Sequence, residues 1–299
     1  MKNHYSHKHS NIVNIKTLVN KQSLQTGGTG KCLELTTIIK KDYSHTYFIT
    51  DKVTGFKYIV KKGKYIEDEY FAYVRLGLMS SRMVRMCLPK IYSFFYKDGN
   101  PVMIQEYING YSGYDLDKID IFVDKNKPKK TEYAWLLFLL KIAYFINELE
   151  ENKIQHNDFY LGNIIITYDK TNKKFDTYVI DMETMIDYKR REYPLMIKSA
   201  LKNKKELVRM GWNKKFHIGS DLNQMLGEIL EKYQNIMPGT IYDILKPFII
   251  VQDKEFPYAI SGKNDKTSGK EIMILLYHLF MKKHKVGIKK LFSDNFVID

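Results

Sequence analysis

The chain has 299 residues, 44% of them hydrophobic and 27% charged, enough apolar material for a sizeable core and unlike a disordered or fibrous protein. Its two cysteines, Cys32 and Cys87, build no disulfide framework and no C-x-x-C pair, so a reducing, intracellular setting is expected. Lys and Arg number 48 against 34 Asp and Glu, a formal charge of +14, which favours anionic partners without choosing among acidic proteins, phosphorylated ligands, nucleic acid and anionic membrane surfaces.

Residues 1–31 show little apolar periodicity and read as a flexible arm ending in Gly27-Gly28-Thr29-Gly30. Within it His4, His7 and His9 read as incidental rather than metal-binding. The arm has no apolar signal region, and the longest apolar stretch, Tyr133 to Ile146, is interrupted by Lys141, so a soluble protein without a membrane span is expected. Alternation then predicts strands at Leu33 to Ile39, Thr46 to Thr50 and Phe56 to Lys61, with a turn at Lys52 to Gly55. Ile66, Phe71, Val74 and Leu78 predict a helix over Tyr65 to Met79. Two further strands, Leu88 to Phe95 and Val102 to Tyr107, flank the turn Asp98-Gly99-Asn100. Residues 32–108 thus form a small antiparallel-sheet lobe with one helix.

Residues 109–299 form a larger, helical lobe. A polar, Lys-rich connection from Asp115 to Lys130 leads to an apolar helix, Thr131 to Glu151, with Thr131 as N-cap and with Trp135, Phe138 and Phe145 as core. Strands at Asn163 to Tyr168 and Thr177 to Ile180 surround the turn Lys170 to Lys174. Helical patterns return at Asp221 to Tyr233, Ile241 to Ile250 and Gly269 to His284. The fold class is α+β.

The chemistry concentrates in His156-Asn157-Asp158-Phe159-Tyr160-Leu161-Gly162-Asn163, an H-x-D-x-x-x-x-N loop between the long helix and a strand. A second carboxylate, Asp181, ends the next hairpin. Phosphoryl transfer needs a carboxylate to orient or deprotonate the acceptor hydroxyl, oxygen ligands for magnesium, and a cation on the phosphates. Asp158 suits the first task, Asn163 with Asp181 the second, and Lys61, closing a strand, the third.

In this order of parts the chain resembles the protein-kinase-like superfamily from about Leu33 to Phe280. Tyr58-Ile59-Val60-Lys61 is similar to the third-strand lysine motif, Gln105-Glu106-Tyr107 to the gatekeeper and hinge, and His156 to Asn163 with Asp181 to the catalytic and metal-binding loops. The resemblance implies a two-lobed kinase fold using ATP and Mg2+. Lys61 would contact the nucleotide's phosphates, Glu106, Tyr107 and Ile108 would contact the nucleotide from the hinge, and Asn163 and Asp181 would ligate the metal. An ion-pair glutamate should follow Lys61. Glu67 and Glu69 point about 200° apart around the helix axis, and Glu69 is chosen because Ala72, Tyr73 and Leu76 share its face, with Glu67 in reserve. His156 is expected to bond backbone near Asp181. Asp221, in Gly219-Ser220-Asp221-Leu222, resembles the aspartate that braces the catalytic loop, although a helix N-cap explains it equally well.

Several positions depart from the family pattern. Asn157 stands where an arginine is usual, which removes a partner for a phosphorylated activation loop, and no A-P-E motif is visible. Asp181-Met182-Glu183 replaces D-F-G and resembles choline kinases and aminoglycoside phosphotransferases. Viral serine/threonine kinases share such abbreviations. The phosphate-covering turn has two candidates. Gln25 to Cys32 carries glycines but lies far ahead of Lys61, and as a Walker A loop it departs at Gln25 and Cys32. Lys40 to His45 has the right spacing, with amides from Asp42, Tyr43 and Ser44.

Lys189 to Lys215 is densely basic, opposed only by Glu192 and Glu206. It reads either as a solvated face or as a selector for acidic or pre-phosphorylated proteins. The expected activity is transfer of phosphate from ATP to Ser or Thr of an acidic protein, with nucleic acid a less favoured partner. A choline- or aminoglycoside-type kinase and a non-catalytic scaffold, pseudokinase or nucleic-acid binder are the rivals. The expected location is cytoplasmic, or host cell or virion for a viral chain.

Overall fold

The computed structural model describes residues 12–13, 33–41, 44–200, 216–251 and 268–284. The Gly27 to Gly30 loop, Asp42, Tyr43, the histidines of the arm and the 201–215 part of the basic segment lie outside them. The chain divides into two compact units, Met1–Arg75 with Pro89–Ile108, and Leu76–Leu88 with Asn109–Asp299.

The first unit is built on a six-stranded antiparallel sheet in the order β1-β2-β3-β4-β6-β5. Its strands are β1 (Ile12–Val13), β2 (Leu33–Lys41), β3 (Ser44–Asp51), β4 (Lys57–Gly63), β5 (Ile91–Lys97) and β6 (Asn100–Glu106). Two tight turns set the register. Asp51 closes one through Oδ1, which accepts the amides of Val53 and Thr54, and Gly55 supplies the positive φ of 72°. Asp98 and Gly99, both with positive φ, close the other. The period-2 pattern puts Ile49, Val60, Val102 and Ile104 on one face as a closed apolar cluster, with Tyr47, Tyr58 and Phe95 packed on it. Lys61 therefore projects to the opposite face, in register with Thr46 and Met103.

Helix α1 (Ile66–Met79) follows β4. Its buried stripe is Ile66, Glu69, Ala72, Tyr73 and Leu76, whereas Phe71 is 55% and Leu78 80% exposed. The apolar spacing through Phe71, Val74 and Leu78 therefore picked the solvent stripe. The step from Ile66 to Phe71 turns about 140° around the axis, so those residues never shared a face.

The second unit opens, after the short α2 (Arg82–Met86), with β7 (Tyr111–Ser112), a 3-10 turn at Gly113–Lys118 and α3 (Asp120–Val123). The predicted polar connection is thus partly core, because Leu116, Ile119 and Phe122 are buried. Helix α4 (Pro128–Glu151) starts three residues before the predicted N-cap, with Pro128 at its first position and Lys127 as a cap without a side-chain bond. Thr131 lies inside the first turn and donates its hydroxyl to the Asp124 carbonyl at 3.0 Å. Trp135, Phe138 and Phe145 are fully buried. The Trp135 indole donates to the Phe122 carbonyl at 3.0 Å, and the Phe122 ring meets those of Trp135 and Phe175 edge-on or tilted.

Around α4 lie two small sheets, β10-β9-β7 and β11-β8, made with β8 (Ile154–Gln155), β9 (Ile164–Asp169), β10 (Lys174–Val179) and β11 (Ile186–Asp187). Among the described residues the remaining helices are α5 (Leu195–Ala200), α6 (Ser220–Tyr233), α7 (Gly239–Leu245) and α8 (Gly269–His284). The helix expected at Ile241 to Ile250 ends at Leu245 and passes into a 3-10 turn containing Pro247, which lacks the N–H to continue it. No described helix is long and apolar enough to cross a membrane.

Candidate active site

In the first unit Lys61 and Glu69 form a buried ion pair, Nζ to Oε1 at 2.6 Å, with Glu69 completely buried. Glu67 turns the other way, and its carboxylate accepts the Tyr96 hydroxyl at the surface. Of the hinge candidates, Glu106 ends β6 in the same sheet, and Tyr107 and Ile108 follow it. Glu106 donates its amide to the Lys90 carbonyl at 2.8 Å and accepts the Lys90 amide at 3.1 Å. Tyr107 meets the Phe48 ring edge-on at 6.1 Å and lies under Lys57 Nζ at 5.3 Å, and Ile108 is buried. Ser44 is buried and pairs with Lys41 and Gly63 in the sheet.

In the second unit His156 to Tyr160 leaves β8, makes a 3-10 turn at Leu161–Asn163 and enters β9. The Asn163 amide folds back on Asp158, donating to its carbonyl at 2.8 Å and lying 3.3 Å from Oδ2. Pairing of β9 with β10 sets Ile164 opposite Val179, and the Ile180 amide then donates to the Asn163 carbonyl at 3.0 Å. Asp181 follows at once, in a left-handed conformation with φ 65°. Asp158 and Asn163 are thus in direct contact, and Asp181 directly follows Ile180, the residue whose amide bonds the Asn163 carbonyl. Glu183 is buried in the 3-10 turn that comes next.

The loop is held from behind. Asp221 accepts the amides of His156 at 2.7 Å and Asn157 at 3.0 Å. It lies inside α6, whose N-cap is Gly219, so the capping reading is corrected. Burial pushes its carboxyl up to about 6 against the pull of those two amides. Burial lowers His156 to about 4, keeping the ring neutral, and its Nε2 lies 3.3 Å from the Ile180 carbonyl. Asn157, at φ 61°, donates to the carbonyls of Gln155 and Thr184. The Thr184 hydroxyl returns a bond to the His156 carbonyl at 2.8 Å.

Glu228 is a loop-bracing residue that the sequence reading missed. Its Oε2 accepts the Leu161 amide at 2.9 Å and the Tyr114 hydroxyl at 3.3 Å. It stands two helical turns after Asp221 on the same face of α6, a placement that an acidic residue facing water would share. Among the described residues no group of three His, Cys, Asp or Glu side chains could hold a metal by itself. One amide oxygen and one carboxylate, Asn163 and Asp181, still suit magnesium, which takes one or two protein ligands and completes its octahedron with water and phosphate oxygens.

Compared with solved structures, the chain matches the BubR1 kinase domain over 92% of this chain and 88% of that one, at 12% identity and a TM-score of 0.53. It also matches the kinase PK-1 of Cydia pomonella granulovirus at 20% identity and a TM-score of 0.38, over 52% of this chain and 55% of that one, little more than half of either. No protein-family model matches the sequence, and no curated protein matches it. The antiparallel sheet with its following helix, the helix-rich second unit and the BubR1 likeness define the class: this chain has an α+β, protein-kinase-like fold.

Proposed function

We propose that the protein is an ATP-dependent phosphotransferase acting on Ser or Thr of acidic proteins. The observation that carries this reading is the Asp158–Asn163 contact on a loop braced by Asp221, followed across one hairpin by Asp181. Lys61, paired with Glu69, would hold the α- and β-phosphates. Asp158 would receive the proton of the acceptor hydroxyl. Asn163 and Asp181 would hold magnesium, which when bound neutralises charge on the phosphate oxygens. Glu106, Tyr107 and Ile108 would contact the nucleotide, as would the turn that includes Asp42, Tyr43 and Ser44. Preference for acidic proteins is supported by the net charge of +14 and by Lys189, Arg190, Arg191 and Lys198, all exposed soon after Asp181.

Incubation with radiolabelled ATP and casein, and separately with choline or an aminoglycoside, tests the proposal. Label is expected on Ser or Thr of casein, and Asp158→Ala is expected to lower transfer by about 100- to 10,000-fold, the range for loss of a general base. Transfer that survives Asp158→Ala would sink the mechanism. Label on the small molecules alone would favour a second reading, supported by the Asp181-Met182-Glu183 sequence. A chain that binds no ATP would be a scaffold.

A further inference from the structure

Glu150, near the end of α4, ties together two helices that are remote in sequence. Its Oε1 accepts the Gly219 amide and its Oε2 the Gly269 amide, each at 2.7 Å. Gly219, at φ 79°, caps α6, and Gly269 is the first residue of α8. A helix start leaves amides without intrahelical partners, and here one carboxylate serves two of them. Burial pushes the Glu150 carboxyl up to about 7, and Asp221 and Glu271 act in the same direction, while the two amides pull it down.

The second half of the network begins two residues beyond Gly219. Asp221, in the first turn of α6, accepts the His156 and Asn157 amides, and Asp158 is the next residue. A continuous run of bonds therefore leads from Glu150 through the start of α6 to the loop that carries Asp158.

We propose that Glu150 is a positioning residue for phosphate transfer, holding the start of α6 so that Asp221 sets the loop carrying Asp158. The proposal rests on the phosphotransferase reading above. Glutamine in its place offers a single acceptor oxygen and turns its NH2 against the other amide N–H, and alanine offers none. Glu271 supplies the contrast. It accepts the Ser268 amide at 2.8 Å near the start of α8 and makes no bond to Gly219.

Glu150→Gln, Asp221→Asn, their double variant and Glu271→Gln are compared for kcat, KM for ATP and amide hydrogen exchange. Glu150→Gln is expected to lower kcat by about 10- to 100-fold with KM unchanged, since a misplacement of about 1 Å can cost about 100-fold in rate. The double variant should be no slower than Asp221→Asn, because both act through one bond network, and Glu271→Gln should keep full kcat. Multiplying losses in the double variant, full kcat in Glu150→Gln, or an equal loss in Glu271→Gln overturns the proposal. If the unaltered protein transfers no phosphate, the phosphotransferase reading fails by itself. Exchange then decides the positioning: Glu150→Gln should speed exchange at Gly219, Gly269, His156 and Asn157. Unchanged exchange at His156 and Asn157 overturns it, whether or not Asp221→Asn folds.

Discussion

Lys61 and Glu69 show how one helical step decides a residue's part. Glu67 and Glu69 have the same chemistry and stand two positions apart, yet one meets a surface tyrosine and the other a buried ammonium. A buried charge that loses its partner keeps its desolvation cost, so Glu69→Leu should destabilise by about 3 kcal/mol or more, while Lys61→Met/Glu69→Leu should recover part of that loss. Urea denaturation measures both, and a double variant weaker than Glu69→Leu would contradict this account. The choice between the two glutamates was legible, because Ala72, Tyr73 and Leu76 mark the face of Glu69. The Glu228 bond to Leu161 was not, since an acidic residue on an amphipathic helix looks the same whether it caps a distant loop or faces water.

At the scale of the element, α1 carries two apolar stripes and buries one. Leu76 is fully buried and Leu78 is 80% exposed, so Leu76→Ala should cost about 2–5 kcal/mol and Leu78→Ser no more than about 0.5 kcal/mol. Thermal or urea melts that rank them in reverse would show that the stripe is misplaced. The α4–α8 contact makes a parallel demand. A Cβ on Gly269 would stand 2.6 Å from the Asn147 amide nitrogen and 2.9 Å from its Cα. Backbone cannot swing aside as a side chain does, so Gly269→Ala should cost about 1–3 kcal/mol by overpacking, read as a lowered urea midpoint. The span of α8 was readable from its 3.6-residue period, and so were the β4 strand and the Asp98-Gly99 turn. The α4 start was not, because Lys127 caps the helix without a side-chain bond while Thr131, a better N-cap by residue type, stands inside the first turn.

For the molecule as a whole, the buried His156 and Asp221 and the half-buried Glu150 lie along one network with opposed signs. His156 is held neutral, so its contribution is present above about 6.5, its ordinary value, and is lost as pH falls toward 4. Glu150 and Asp221 have raised values, so their contributions are present at low pH and are lost as pH rises through about 6 and 7. Asparagine at 221 removes the Asp221 share, and the stability gap between the unaltered protein and Asp221→Asn should narrow from about pH 4 to about pH 6. Urea midpoints across that range test it, and a widening gap would reverse the assigned direction.

The linear order of strands, helix, H-x-D-x-x-x-x-N loop and Asp181 hairpin could be read without coordinates, because periodicity, turn residues and motif spacing depend on near neighbours in the chain. Asp221 was different. Bracing and capping were equally good readings until α6 was seen to deliver its carboxylate to amides more than 60 residues earlier. Glu150 reaching both Gly219 and Gly269 belongs to the same kind, as does Glu228 reaching Leu161. A side chain's long-range partner depends on how helices and loops pack, and no window of local sequence encodes that placement.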